Sequence, residues 1–426
     1  VRITRRAAIG GTLAAPLVRA AAARVAAPAV ARETWDAVVI GAGVFGAWTA
    51  EHLRREGQRV LLLDAHGPAH SRASSGGETR MIRGTYGADA IYTRMAVASL
   101  AEWRRISGET GHAPTSSEGS LPLFHAAGVL FVFGDAATPY AQASIATHRT
   151  LGLPLEVLNR RELAARWPQM DVSGLELGLF EPVFGALMAR RAVQTLVAQF
   201  VKAGGQYRKR AVAPPAPGGN TLASILAAPG ETISAGQFVF ACGPWLPKLF
   251  PDVIGKRIAA TRQEVFFFAP PAGDERFGAA QLPGWADWNG GDLYYGFPDL
   301  EARGFKIARD THGRPVDPDT QDRRPTDAAL GDARAYMERR FPAMRGAPLN
   351  EARVCQYENS ATGDFLIDRH PAWSNVVLVG AGSGHGFKHG PEVGRLAAAL
   401  TLGGVAAVDP RFGLASKGET GARAVH

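Results

Sequence analysis

Four short apolar runs divide the chain, and each runs into a glycine or an acid. Val38 to Ile40 leads into Gly41, and Val60 to Leu63 leads into Asp64. Phe238 to Cys242 leads into Gly243, and Val376 to Val379 leads into Gly380. Short runs without alternation read as strands buried on both faces, as in a parallel sheet. After the first run, residues 44–56 read as a helix that stops at Gly57, a residue suited to the left-handed C-cap. Further helices are predicted over 89–106 with Asp89 as N-cap, from the Asn159/Glu162 capping pair to Trp167-Pro168, and over 190–201, 327–341 and 391–402. Strands are predicted over 128–133 and 265–268, with a hairpin from 294–298 and 304–307. Glycine, proline and serine mark loops at 71–77, 110–120 and 214–219. Residues 317–324 read as a charged, solvated loop.

The strongest local signal is Gly41-x-Gly43-x-x-Gly46 between the first strand and its helix. Gly41 permits a tight turn, Gly43 lets backbone approach a pyrophosphate, and Gly46 lets the helix sit close to the sheet. The helix N-terminus offers free N–H groups and a positive dipole end. Asp64 ends the second strand, where an acid can accept from a ribose hydroxyl. Units of this kind lie near both ends and in the middle of the chain, with β-rich segments between them. That order predicts a discontinuous nucleotide domain (34–115, 180–250 and 350–405), a second domain (116–179 and 251–349) and a tail (406–426).

With 426 residues the chain is long enough for two cores. The net charge of +8 is scattered rather than blocked, which argues against a nucleic-acid partner. Arg5-Arg6, the uncharged stretch 7–18 and the small residues 20–23 predict a Tat-type signal segment over 1–33. That implies a periplasmic protein, or a cytoplasmic one if the leader is not used. The apolar part is too short for stable membrane insertion. Two cysteines make no disulfide framework; the pattern admits one Cys242–Cys355 bridge but favours separate roles, with Cys242 a small core residue. No Cys/His cluster has metal-ligand spacing.

Four stretches together resemble the D-amino-acid-oxidase-type flavoproteins, in the branch of monomeric sarcosine oxidase and N-methyltryptophan oxidase. They are Gly41 to Gly46; Gly77-Glu-Thr-Arg80-Met-Ile-Arg83; Tyr295-Gly-Phe-Pro298 with Lys306; and Cys355-Gln-Tyr357 with Gly384-His-Gly-Phe-Lys388. The likeness covers roughly residues 35–404. It implies an α/β fold: a doubly wound, Rossmann-like FAD-binding domain with a discontinuous substrate domain on a mostly antiparallel mixed sheet. It implies FAD held by Gly41, Gly43, Gly46, Asp64, Ser75, Thr79, Gly382, Gly384 and Gly386, and joined covalently to Cys355 as a thioether. It places Arg80, Arg83, Tyr295, His385 and Lys388 on the substrate side, with Arg83 and Lys388 clamping a carboxylate. It assigns Lys306 to the step with O2. The reaction implied is oxidation of an amine or amino acid to an imine, with hydrogen peroxide formed from O2, by a monomer. The alternative is a periplasmic dehydrogenase passing electrons to a quinone or carrier. The chain departs from the family where Ser75 and Gly76 replace histidines. It departs again at Asp310, after Arg309, where the sarcosine enzyme has a histidine. An acid there would favour a basic or larger amino acid.

Overall fold

The computed structural model describes residues 34–108, 121–289, 292–404 and 408–419. The expected leader, the whole 110–120 loop and both ends of the tail lie outside them. The strand Thr34–Ile40 is central to a sheet in which it pairs in parallel with Glu231–Phe240 on one side and Val60–Asp64 on the other. Val376–Gly380 and Gln206–Lys209 extend the parallel order, and Leu366–Arg369 adds an antiparallel edge.

The unbroken apolar runs follow from this placement. Val39, Leu62, Val239 and Val377 face one core, while Val38, Leu61, Phe238 and Leu378 face another. Both faces are dry, so alternation disappears. On the first face, helix Val44–Arg55 packs against helix Gly390–Thr401. Their contact is Trp48, fully buried against Gly390 and Gly394. A Cβ on Gly394 would lie 2.6 Å from Trp48, so only glycine lets the helices approach. Burying that indole contributes about 4–6 kcal/mol of apolar transfer energy.

Among the described residues the second sheet has eight strands. All its pairings are antiparallel except Gly284–Asn289 with Val129–Phe133. The predicted hairpin is present as Asp292–Phe297 and Phe305–Asp310. The strand bearing Cys355, Leu349–Asn359, pairs in this sheet with Ala259–Phe268. A small third sheet carries Thr79–Ile82.

Several local expectations need amendment. The helix Pro139–Leu151 lies outside the predicted elements, although Pro139 in its first turn and the left-handed Gly152 at its end are start and stop signals. Asp89 precedes helix Ala90–Ile106 but does not cap it; its carboxylate meets Arg411 at 2.9 Å. The third apolar strand is longer than expected and stops at Phe240, before Cys242. Asn159 and Glu162 do form the expected reciprocal capping box. Both cysteines are free.

Candidate active site

A cavity of about 420 Å³ opens at the carboxyl ends of the parallel strands, where Ile40, Asp64 and Ala241 line it. Open α/β sheets bind ligands at this edge. Gly41 turns the chain at φ +106°, and a Cβ there would lie 2.3 Å from Ala241 O. On Gly46 a Cβ would lie 1.8 Å from Gly41 O, so this glycine sets the distance between helix and turn. Gly43 is different: its Cβ would touch only Ser75 Oγ, at 3.4 Å. Its bareness leaves backbone open to the cavity. Gly43 has no side chain to cap the helix that follows, and the Val44 N–H donates instead to Ser75 Oγ at 3.0 Å.

Asp64 Oδ2 accepts from the Ala42 N–H at 2.8 Å, and Oδ1 accepts from His66 and Gly67 N–H at 2.7 Å each. The carboxylate thus fixes the phosphate-type turn as well as lining the cavity. The rings of His66, His70 and Trp245 stand 4.7–5.9 Å apart in the same wall. Trp245 Nε1 donates to Asp319 Oδ1 at 2.7 Å, and Lys248 bridges Asp317 and Asp319. Part of the loop expected to be solvated therefore lines the cavity through Asp319. Cys242, expected in the core, touches that core and also lines the cavity.

Buried Ser74 Oγ and Glu358 Oε2, from two further lining residues, have no hydrogen-bond partner among the described residues. An uncapped helix N-terminus, bare glycine backbone and unsatisfied polar atoms suit a bound dinucleotide with a diphosphate, and FAD fits them.

A smaller cavity of about 70 Å³ adjoins the first, sharing Arg80, Tyr357, Gly384 and Phe387 with it. Arg83, Lys388, His385, Tyr295 and Asp310 also line it. Lys388 is 4% exposed; its Nζ donates to Tyr86 Oη at 2.8 Å and to His385 O at 2.9 Å. Burial, and then the Arg83 guanidinium, pull the Lys388 ammonium well below its usual pKa. Arg83 lies over the Tyr86 ring, 4.0 Å from its centroid, and donates to Thr85 O. Tyr86 also meets His389 Nε2 at 2.8 Å and His385 Nδ1 at 3.3 Å. Arg309 points to Asp332 at 3.6 Å, while Asp310 lines the cavity.

Lys306 is 2% exposed and lines neither cavity. It stands opposite Phe267 on one neighbouring strand and Phe297 on the other. Its Nζ donates to Thr79 Oγ1 at 3.0 Å and to Thr79 O at 3.1 Å. Arg80 Nη1 donates to the same carbonyl at 2.8 Å, and Arg80 Nη2 stands 3.5 Å from Cys355 Sγ. Burial first, then Arg80, holds Lys306 well below the ordinary lysine pKa.

Of the cofactor residues expected from the sequence, Gly41, Gly43, Asp64, Ser75, Gly382, Gly384 and Gly386 line the large cavity. Gly46 supports the turn from below, Thr79 holds Lys306, and Cys355 meets the wall through Arg80. All five residues expected on the substrate side line the small cavity. Sequence reasoning passed over Tyr86, Glu358 and His389. Tyr86 lies three residues past Arg83, and Glu358 follows Tyr357; neither carries a spacing signal of its own.

The family description "FAD dependent oxidoreductase" (DAO) matches residues 36–400. Monomeric sarcosine oxidase of Streptomyces avermitilis is 31% identical over 389 residues, covering 89% of this chain and 97% of that protein. N-methyl-L-tryptophan oxidase of Citrobacter koseri is 30% identical over 383 residues, covering 88% and 96%. Among solved structures, L-proline dehydrogenase from P. horikoshii superposes with a TM-score of 0.76 at 19% identity, covering 90% of this chain and 97% of that one. The amino acid oxidase NikD gives 0.72 at 21%, covering 89% and 97%. These two likenesses concern the fold.

Proposed function

Because the chain belongs to the DAO family of FAD-dependent oxidoreductases, we propose that it oxidises an amino acid or N-alkyl amino acid to an imine, with O2 reduced to hydrogen peroxide. The observation that carries this reading is the pair of buried cations, Arg83 and Lys388, lining a small cavity that abuts the large one. Two relatives at 30% identity or more are named as oxidases of sarcosine and N-methyl-L-tryptophan, which favours an oxidase over a dehydrogenase.

FAD supplies the redox chemistry, accepting a hydride equivalent from the carbon beside nitrogen and passing the electrons to O2. The chain supplies position and charge. Arg83 holds the substrate carboxylate bidentately and Lys388 adds a point charge. Tyr86 steadies both, its ring under Arg83 and its oxygen on Lys388. Fixing the carboxylate fixes the α-carbon, so the clamp acts on turnover as well as affinity. Asp310, in the same cavity, receives a second cationic group on the substrate. Arg80 keeps positive charge behind the shared wall, and Lys306 adds to it when protonated, where negative charge develops as O2 is reduced.

The proposal includes a thioether from Cys355 to a methyl group of the flavin ring: the thiol and the methyl would each give up a hydrogen as the C–S bond forms, the two electrons reducing FAD, with O2 as the final acceptor. A cation 3.5 Å from the attacking sulfur supports it. It also includes export: Arg5-Arg6 and the stretch behind them support Tat transport of the folded protein to the periplasm.

The test compares amino acids with their decarboxylated amines, reading peroxide, in wild type and Arg83→Ala. Loss of one partner in a buried charge contact costs about 3–5 kcal/mol, or about two to four decades in kcat/KM. The clamp is wrong if decarboxylated amines are oxidised as fast as their parent acids.

A further inference from the structure

We propose that Glu358 is a cofactor-binding residue that works as a neutral acid, donating its carboxyl hydrogen to FAD, so that about one proton is taken up when FAD binds at mildly alkaline pH. This rests on FAD occupying the large cavity and is independent of the amino-acid substrate.

Glu358 lines that cavity yet is only 6% exposed. Among the described residues it forms no ion pair, and its Oε2 accepts no hydrogen bond. A buried carboxylate without a cation is costly, so the position calls for a proton or a partner. Three glycines leave the group bare. A Cβ on Gly380 would lie 3.4 Å from Oε2, one on Gly382 3.5 Å from Oε1, and one on Gly243 3.8 Å from Oε2. The Gly382 position is also 3.7 Å from Phe45, in the first turn of the uncapped helix. The carboxyl and the first turn of that helix thus line the same cavity.

Two anions cannot share such a place at low cost, whereas a carboxylic acid can donate to one. Burial has already pushed Glu358 up to about 7, against the pull of the Gly382 and Ala381 backbone N–H groups. A diphosphate brings both further burial and negative charge, and each raises the value again. The titratable groups on the elements around it are the Cys242 thiol, the Tyr357 phenol and the His385 ring; Asp64, His66, His70, Arg80, Arg210, Lys248 and Asp319 line the same cavity. Burial, then Asp64 and Glu358, push the Cys242 thiol up, so it stays neutral.

The sign follows from linkage. FAD favours the protonated form, so affinity is full below the pKa of the free protein and falls as pH rises through it. The fall approaches tenfold per pH unit until the value of the complex is reached.

The experiment uses the full chain with Cys355→Ala, in which FAD titrates reversibly whether or not the native bond is covalent. Calorimetric titration with FAD in buffers of different ionisation enthalpy counts protons. A group titrating near 7 predicts uptake of about 0.9 proton at pH 8 and about 0.1 at pH 6, with Kd weakening about tenfold between them. Adding Glu358→Gln keeps an N–H donor and abolishes both the uptake and the pH slope; Glu358→Leu weakens binding at pH 6 as well. The proposal is overturned if FAD binds at pH 8 without proton uptake, or if Glu358→Gln keeps the slope. Should that variant not fold, the proton count on its parent decides alone. Absence of FAD binding at every pH overturns the cofactor placement along with it, whereas binding without uptake overturns only the role of Glu358.

Discussion

Replacing Lys306 with methionine separates chemistry from stability, because the two respond in opposite directions. Lys306 is 2% exposed and surrounded by Phe267, Tyr295 and Phe297, with Nζ 5.2–5.9 Å from their centroids. Methionine has similar length and fills such a slot. The substitution removes two hydrogen bonds to Thr79, but Thr79 O keeps its bond from Arg80. Charged hydrogen bonds contribute about 1.5–3 kcal/mol each. The burial cost of the ammonium, itself several kcal/mol, disappears at the same time. Folding stability should therefore stay within about 2 kcal/mol of wild type, or rise. The oxygen step should suffer. A unit charge acting over about 5 Å at an effective dielectric of about 20 is worth about 3 kcal/mol, or about two orders of magnitude in rate. Stopped-flow measurement of reduction and reoxidation as separate steps, beside a thermal melt, reads both terms. Reduction should change little and reoxidation should fall about a hundredfold. There is a pH signature too. The lysine is charged only below its depressed pKa, so wild-type reoxidation slows as pH rises through that value, while Lys306→Met is flat. Unchanged reoxidation, or a melt showing loss of more than about 4 kcal/mol, would refute the reasoning.

Three other outcomes are expected. Gly46→Ala places a Cβ 1.8 Å from Gly41 O; the alanine gain of about 1 kcal/mol in helix propensity is outweighed by overpacking of about 1–3 kcal/mol or more, and FAD content falls. A stable, fully flavinylated variant would remove the spacing argument. Cys355→Ser should leave FAD extractable by acid, read as yellow supernatant and as protein mass lacking FAD; release of all flavin from wild type would end the thioether proposal. Asp310→Asn should shift preference from basic toward neutral amino acids by about tenfold, the equivalent of one exposed-to-buried charge contact of about 1.4 kcal/mol; an unchanged ranking would leave Asp310 as an internal partner of the cations around it.

The sequence by itself determined what is local. Unbroken apolar runs specified the parallel strands, because a strand dry on both faces cannot alternate. Gly41 and Gly46 specified the turn, because the turn needs φ +106° at one and no Cβ at the other. The motif pairs around Arg83 and Lys388 were legible for the same reason: each is a short, ordered string. What the sequence did not hold is which strings meet. Lys388 reaches Tyr86 across 302 positions, Arg80 reaches Cys355 across 275, and Lys306 reaches Thr79 across 227. Tyr86 and His389 became site residues only through such meetings. The same holds for the charged loop, whose Asp319 is drawn inward by Lys248 and Trp245. Glu358 is the clearest case. In the sequence it is an acid after a tyrosine, with nothing to distinguish it from a surface residue. Only the tertiary structure decides that glycines from two distant loops enclose it and that, among the described residues, no cation comes with it. Burial and partnership are properties of the assembled chain, and they turn an ordinary carboxyl into one that holds its proton.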